Sequence, residues 1–230
     1  MRFPVAEKKE CERADTVLDM ARDSVKNFLD TYEKVRKARN AGQGAPMDNE
    51  QDLLRAALVF AAAGLDSTLK ELIKGSVRPL SKIDPNVQDQ FETFVQRKLR
   101  GDSDEPGPAP GYKFLASIIA SALPQERLLN DYVLYLTGSS LQSVDQLFKS
   151  ASALGAETKL IADNKTELTK IFSARNQIIH ELDVKFTGKV GHRQRNRPKK
   201  KEIEKQCKLL LDVAAAIIAS VRKNLQRVTS

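Results

Sequence analysis

Apolar residues recur at alternating spacings of three and four through most of this sequence, which is the pattern of helices that bury one face. Four long helices are predicted on this pattern, over residues 8–40, 49–76, 157–183 and 201–228. Three shorter helices are predicted between the second and third of these, over residues 112–122, 125–137 and 140–154. No stretch alternates with the period of a strand over a useful length. The predicted fold class is therefore all-α, a bundle of four long helices with extra short helices inserted between the second and third.

Two segments interrupt the helical pattern. Within residues 78–111, a helix is predicted to begin at Asp84-Pro85, because a capping acid precedes a proline at the first helical position. A loop rich in glycine, proline and acidic residues follows it. We predict that residues 78–111 are an insertion in a single domain that spans residues 1–230. Residues 184–201 contain two glycines and a proline and are predicted to form a loop.

Composition narrows the class of protein. A chain of 230 residues with 41% hydrophobic and 30% charged residues is long enough for a sizeable core. Its most apolar runs are shorter than the roughly 20 residues that a membrane-spanning helix needs. The first residues lack the apolar core of a signal peptide, so we predict a cytoplasmic protein that does not contact membranes. Cys11 and Cys207 lie far apart and are predicted to be free thiols, with no metal site.

The positive charge is concentrated in the predicted loop. The chain has a net charge of +8, from 38 basic and 30 acidic residues. The loop has eight basic residues and no acidic one, so it accounts for the whole excess: Lys185, Lys189, Arg193, Arg195, Arg197, Lys199, Lys200 and Lys201. Such a segment would attract the backbone of RNA with little base preference and strong salt dependence. It is equally typical of a solvated surface or of a contact with an acidic protein.

The third long helix combines an apolar seam with a polar stripe. The seam runs through Leu168, Ile171, Arg175, Ile178 and Leu182, and the stripe through Ser173, Asn176, His180 and Asp183. A guanidinium on a buried seam needs an acceptor, because an unpaired buried charge is costly. Arg175 and His180 are five residues apart, so they diverge by about 140° on an ideal helix. Either the helix ends or bends at this point, or a site combines residues from two copies of the chain.

These side chains suit phosphodiester chemistry without a metal. The sequence has no Gly-rich phosphate loop after a strand, no zinc-type Cys/His spacing and no nucleophile elbow. A histidine can exchange protons near neutral pH, and an arginine can hold phosphate oxygens. RNA supplies its own nucleophile in the 2′-OH. A histidine and an arginine on one helix are also common as structural residues. Asp66, which spacing pairs with Lys70, is predicted to be a surface acid.

The run Arg175-Asn176-Gln177-Ile178-Ile179-His180 resembles the Arg-x4–6-His signature of the HEPN superfamily. Residues 53–66 resemble the second helix of the RiboL-PSP type of HEPN domain, and residues 141–148 a connecting segment of that branch. The order of the helices also agrees. The resemblance implies an all-α domain that dimerises through the motif helices, so that two Arg-x4-His sets share one cleft.

The resemblance also implies an activity and roles for individual residues. The activity is that of a metal-independent endoribonuclease without a cofactor, leaving 2′,3′-cyclic phosphate ends, in a toxin or antiviral defence setting with an antitoxin or other regulatory partner. His180 would be the acid and base, Arg175 the phosphate ligand and Asn176 a support. Asp66 and Glu181 would line the site. The alternatives are an inactive HEPN-like module that binds RNA, and a dimeric regulatory module.

Overall fold

The computed structural model of the chain describes residues 6–39, 44–100, 110–186 and 193–226. These residues form nine helices, α1 to α9 in chain order, which span Ala6–Ala38, Asp48–Leu80, Pro85–Arg100, Pro110–Ile119, Pro124–Thr137, Val144–Ala153, Lys159–Asp163, Lys165–Glu181 and Lys200–Gln226. Between α8 and α9, two short strands pair antiparallel, β1 (Val184–Phe186) with β2 (Arg193–Arg195). The predicted all-α class is confirmed, and this ribbon is the one departure from it in the described ranges.

The centre of the molecule is formed by α1, α2 and α9, which pack against one another along their apolar faces. A stretch of small residues in α2, residues 61–64, allows α1 to approach closely, because a Cβ atom added to Gly64 would overlap the side chain of Ala21. Helix α8 packs on α2 and α9 and is the fourth long helix. Its position places the Arg175–His180 motif at the edge of this bundle.

The region predicted as an insertion also contributes to the core. Helix α3 begins at Pro85, as predicted, and Val87 and Phe94 are buried in the same core as the long helices. Phe94 lies against the rings of Tyr132 and Tyr135 on α5, with centroids 5.0 Å apart in both pairs. Helix α2 extends to Leu80 and past its predicted end at residue 76, because its buried apolar face continues through Val77 and Leu80.

Two further predicted helix bounds are wrong at positions where a polar side chain forms a hydrogen bond with the backbone. The helix predicted over 157–183 is split into α7 and α8 at Asn164, whose side-chain amide donates a hydrogen bond to the carbonyl of Leu160 at 2.9 Å. The helix predicted over 140–154 begins only at Val144, because the hydroxyl of Ser143 accepts a hydrogen bond from the backbone N–H of Gln146.

The basic segment is not a loop throughout, as the sequence predicted. It begins with β1, returns with β2, and its last two residues form the start of α9. The strands are only three residues long, which is too short for a two-residue period to be detected. Lys185 and Arg193 lie on these strands, and Lys189 lies outside the described residues.

The remaining predictions on compartment concern the cysteines and membrane contact. Cys11 and Cys207 are free and buried, as predicted, and burial raises the pKa of the Cys207 thiol to about 12. None of the helices within the described ranges is sufficiently long and apolar to cross a membrane.

Candidate active site at the end of helix α8

Helix α8 ends directly after His180. Its last residue is Glu181, and the next two residues adopt the left-handed conformation, with φ of 51° at Leu182 and 60° at Asp183. The backbone N–H groups of both donate to the carbonyl of Gln177, which closes the helix end. The sequence left open whether the helix ends or bends at this point or whether a site combines two copies of the chain. The first alternative holds, because the helix ends here within a single chain. The predicted seam is wrong at Leu182, which is 67% exposed because the chain has already turned away.

The polar stripe of α8 opens onto a cleft of about 830 Å³. Ser173, Asn176 and His180 line it from α8, and all three are exposed. The opposite wall is formed by residues 142–145 at the start of α6. Glu181 lines the cleft beside His180, as its predicted role requires. Asp183, predicted on the same stripe, is instead buried and faces away.

Arg175 lies behind this stripe and is linked to it through Asn176. One guanidinium nitrogen, Nη1, donates a hydrogen bond to Oδ1 of Asn176 at 2.8 Å. The Nε–H group is buried and has no hydrogen-bond partner among the described residues. Burial lowers the pKa of Arg175, and the carboxylate of Asp66 acts in the opposite direction. The guanidinium remains a cation at neutral pH, with a donor that no side chain in the described ranges satisfies.

Asp66 supports the far wall of the cleft. Its Oδ2 pairs with Nζ of Lys70 at 2.9 Å, so the predicted ion pair is confirmed. Its Oδ1 accepts a hydrogen bond from the backbone N–H of Leu141 at 2.6 Å, directly before the wall segment. Asp66 is therefore close enough to influence Arg175 but lies outside the cleft lining, and its contacts are those of a structural residue.

Three of the predicted RNA-binding residues make ion pairs with acidic residues of α1 and α2. Arg195 contacts Asp52 at 2.8 Å, Arg197 contacts Asp48 at 3.6 Å, and Lys200 contacts Glu33 at 2.8 Å. The hydrogen bond from Lys200 to Glu33 raises the pKa of this lysine. Lys199 and Lys201 are exposed. Exposed ion pairs are weak and screened by salt, so a polyanion could compete for these cations.

A buried polar network behind the helix end was missed by the sequence analysis. Arg55 of α2 donates from Nε to Oδ2 of Asp183 at 2.9 Å, and Asn196 donates from Nδ2 to Oδ1 of the same carboxylate at 2.5 Å. The signal for it was present in the sequence. Arg55 precedes Leu58 by three residues and so lies beside it on the apolar face of α2, which raises the same need for an acceptor that was recognised for Arg175.

Comparisons of this chain with protein-family models, with curated proteins and with solved structures gave no match. Within the described ranges, no three or more His, Cys, Asp or Glu side chains are grouped so that they could hold a metal ion. The cleft offers an imidazole, a carboxamide and the carboxylate of Glu181, with a guanidinium nearby, and the functional assignment depends on what these groups can do together.

Proposed function

We propose that this protein is a metal-independent endoribonuclease of the HEPN type. The observation that carries the proposal is the grouping at the end of α8. His180 and Asn176 lie exposed on one cleft, and Arg175 is bonded to Asn176 while its Nε–H has no partner among the described residues. An unsatisfied buried donor on a cation is costly in isolation, and a shift of the guanidinium toward the cleft would let a phosphate oxygen satisfy it. The Arg-x4-His spacing agrees with the same activity.

The reaction is an internal transesterification of RNA. His180 accepts the proton of the 2′-OH as the 2′-oxygen forms a bond to phosphorus, and the bond from phosphorus to the 5′-oxygen breaks. The leaving 5′-oxygen takes a proton from the protonated imidazole of a second copy's His180, so the products are a 2′,3′-cyclic phosphate and a 5′-OH. Arg175 stabilises the charge that develops on the phosphoryl oxygens. Asn176 orients the guanidinium through their hydrogen bond.

The proposal includes a homodimer formed through α8. One chain supplies a single His180, whereas the reaction needs both a base and an acid, and a two-fold axis would bring a second copy into the cleft. Support comes from the surface beside the motif. Ile179 is 40% exposed and Leu182 is 67% exposed, so two large apolar side chains flank His180 on the outside of the molecule. A second copy of α8 would cover them.

The test is cleavage of RNA in the presence of EDTA, with identification of the product ends. We expect cyclic phosphate ends from the wild-type chain, and loss of cleavage in His180→Ala and in Arg175→Ala with folding intact. Lys170→Gln is the matched control, because Lys170 lies on the same helix, outside the cleft lining, and its side chain is 70% exposed. A requirement for Mg²⁺, or cleavage that survives both substitutions, would overturn the proposal.

A second candidate is a HEPN-like module that binds RNA without turnover. The observation in its favour is the cationic segment, where Lys199 and Lys201 are exposed and the ion pairs of Arg195 and Arg197 are open to competition. This candidate predicts binding with a steep salt dependence and no cyclic phosphate product.

A toxin or defence role with a regulatory partner is a prediction from the resemblance. Growth arrest on expression of the active chain would test it.

A further inference from the structure

The buried network at the end of α8 involves Arg55, Asp183 and Asn196. Arg55 is 3% exposed and Asp183 is 5% exposed, so both charges are removed from water. Both carboxylate oxygens of Asp183 accept hydrogen bonds, one from Arg55 and the other from Asn196. Arg55 also donates from Nη1 to Asp52 at 3.0 Å and from Nη2 to the backbone carbonyl of Asn196. A buried pair with its donors and acceptors satisfied in this way defines one geometry.

The network joins three segments that meet at the candidate site. Asp183 lies three residues after His180, Asn196 follows β2, and Arg55 belongs to the rigid central helix α2. The backbone N–H of Asn196 also donates to the carbonyl of Asp183 at 3.1 Å, which fixes the end of β2 to the end of α8. The C-terminal end of α8 and the end of the basic ribbon, which is formed by β1 and β2, are therefore both held by the buried guanidinium of Arg55.

The backbone at this point adopts a conformation that the surroundings must maintain. Leu182 and Asp183 both have positive φ, although neither is glycine, and a side chain makes this left-handed conformation unfavourable. The side chain of Leu182 is exposed and does little to hold it. Backbone hydrogen bonds to the carbonyl of Gln177 contribute, as does one from the Arg195 side chain to the carbonyl of Leu182. The buried side-chain contacts that hold it are those of Asp183 with Arg55 and Asn196. Without them, the last turn of α8, which carries His180, would fray as helix ends do.

We propose that Arg55, Asp183 and Asn196 are positioning residues for the candidate active site, an inference that rests on the proposed ribonuclease function. They fix the last turn of α8 so that His180 stays on the cleft next to Asn176. They also fix the basic ribbon relative to that turn, so that an RNA backbone on the ribbon would reach the cleft in one register. A displacement of about 1 Å at a reacting group lowers a rate by on the order of 10²-fold.

The experiment uses the full chain with three variants. Asp183→Asn keeps a residue that tolerates positive φ but removes the charge that pairs with Arg55. The double variant Arg55→Met/Asp183→Asn removes both buried charges, and such replacements commonly recover the stability lost in a single variant. Asp19→Asn is the matched control, because Asp19 makes a surface pair with Arg22 at 3.2 Å, away from the network, with a side chain that is 70% exposed. For each we would measure kcat and KM on RNA, thermal unfolding, and hydrogen exchange at residues 180–183.

We expect Asp183→Asn to lower kcat by on the order of 10²-fold, with a smaller change in KM, because Arg175 keeps its place on α8. The backbone amides of residues 180–183 should exchange faster, and the imidazole resonance of His180 should shift. That resonance is simple to assign, because the chain has only two histidines. In the double variant the melting temperature should recover while kcat stays low. Asp19→Asn should match the wild type in all of these measurements.

Two outcomes would overturn the inference. In the first, Asp183→Asn has the kcat, the exchange rates and the imidazole resonance of Asp19→Asn. In the second, kcat returns together with the melting temperature in the double variant, which would make the network structural only. If the wild-type chain cleaves no RNA, the proposed function fails instead. Hydrogen exchange and the His180 resonance would then still decide whether the network positions the helix end.

Discussion

Arg55 and Arg175 each place a guanidinium beside the apolar side of a helix, and their surroundings differ in one respect. Each of the three nitrogens of Arg55 donates a hydrogen bond, to Asp183, Asp52 and the carbonyl of Asn196. Arg175 donates to Asn176, and its buried Nε–H has no partner among the described residues. Every nitrogen of the Arg55 guanidinium therefore has a partner, whereas the Nε of Arg175 has none among the described residues.

The difference separates a structural arginine from one that is available for a ligand. Native proteins satisfy nearly all of their buried polar atoms, and Nε of Arg175 is the one cationic donor among the buried atoms of the described residues that lack a partner. Arg55 uses its donors to hold the exit of α8 within the folded chain. Arg175 keeps a donor that a phosphate oxygen or a group of a second copy could use, and it lies next to the cleft that His180 lines. Substitutions at the two positions should therefore affect different properties.

The largest expected effect is on stability, in Arg55→Met. This change leaves the Asp183 carboxylate buried without its cation, which typically costs about 3–5 kcal/mol. Arg175→Met removes only one exposed hydrogen bond and a costly unsatisfied donor, so we expect a loss below about 1 kcal/mol. Urea unfolding of both variants measures the difference. Equal losses would show that the two arginines are equivalent in the fold and would remove the basis of the comparison.

The next effect is on activity, in Arg175→Lys. A lysine keeps the positive charge but cannot bind phosphate oxygens in the bidentate manner of a guanidinium. We expect kcat for RNA cleavage to fall by about 10²–10³, which is roughly 2.7–4 kcal/mol of transition-state stabilisation, with an unchanged unfolding curve. Arg127→Lys is the control, because Arg127 makes a surface pair with Asp131 at 3.5 Å. Full activity in Arg175→Lys would mean that Arg175 contributes only charge.

The two arginines also show which parts of the fold and of the candidate site could be predicted from the sequence. Helical periodicity predicted the long helices and the stripe of Ser173, Asn176 and His180, because these depend on spacing within one segment. It placed Asp183 on that stripe, since a pattern cannot register that the helix ends at Glu181. The partnership of Arg55 with Asp183 spans 128 positions, so only the fold brings the two together.

The carboxylate of Glu50 is a third site where arginines contact a buried group. The dependence of stability on pH tests whether they hold this carboxylate in its charged form. Glu50 is fully buried, and its carboxylate accepts hydrogen bonds from the backbone N–H of Met47 at 2.7 Å and from Arg39 at 3.0 Å. Burial alone would raise the pKa of Glu50, but these hydrogen bonds and the charges of Arg39 and Arg36 outweigh it and lower the pKa below its ordinary value of 4.5. The ionised carboxylate therefore stabilises the fold above that value, and the contribution is lost as the pH falls through the lowered pKa.

We therefore expect Glu50→Gln to lower the melting temperature at pH 7 and to have a smaller effect as the pH falls below 4.5. Thermal unfolding of the variant and the wild type across this range measures the convergence. Glu71→Gln is the control, because the pair of Glu71 with Lys74 at 2.7 Å lies within one helix, where the lysine is 53% exposed. A difference that is constant with pH would show that the arginines do not hold the carboxylate of Glu50 in its charged form.

The smallest expected effect is that of Asp66→Asn, which tests whether Arg175 depends on an acid of its own chain. An asparagine can still accept the hydrogen bond from the N–H of Leu141, so the wall of the cleft should stay in place. The change removes the pair with Lys70, a contact between partly exposed groups that contributes less than about 1 kcal/mol. Cleavage should therefore stay close to that of the wild type. A loss as large as in Arg175→Lys would instead make Asp66 the carboxylate partner of Arg175, and Arg175 would then resemble Arg55 in being satisfied within the chain.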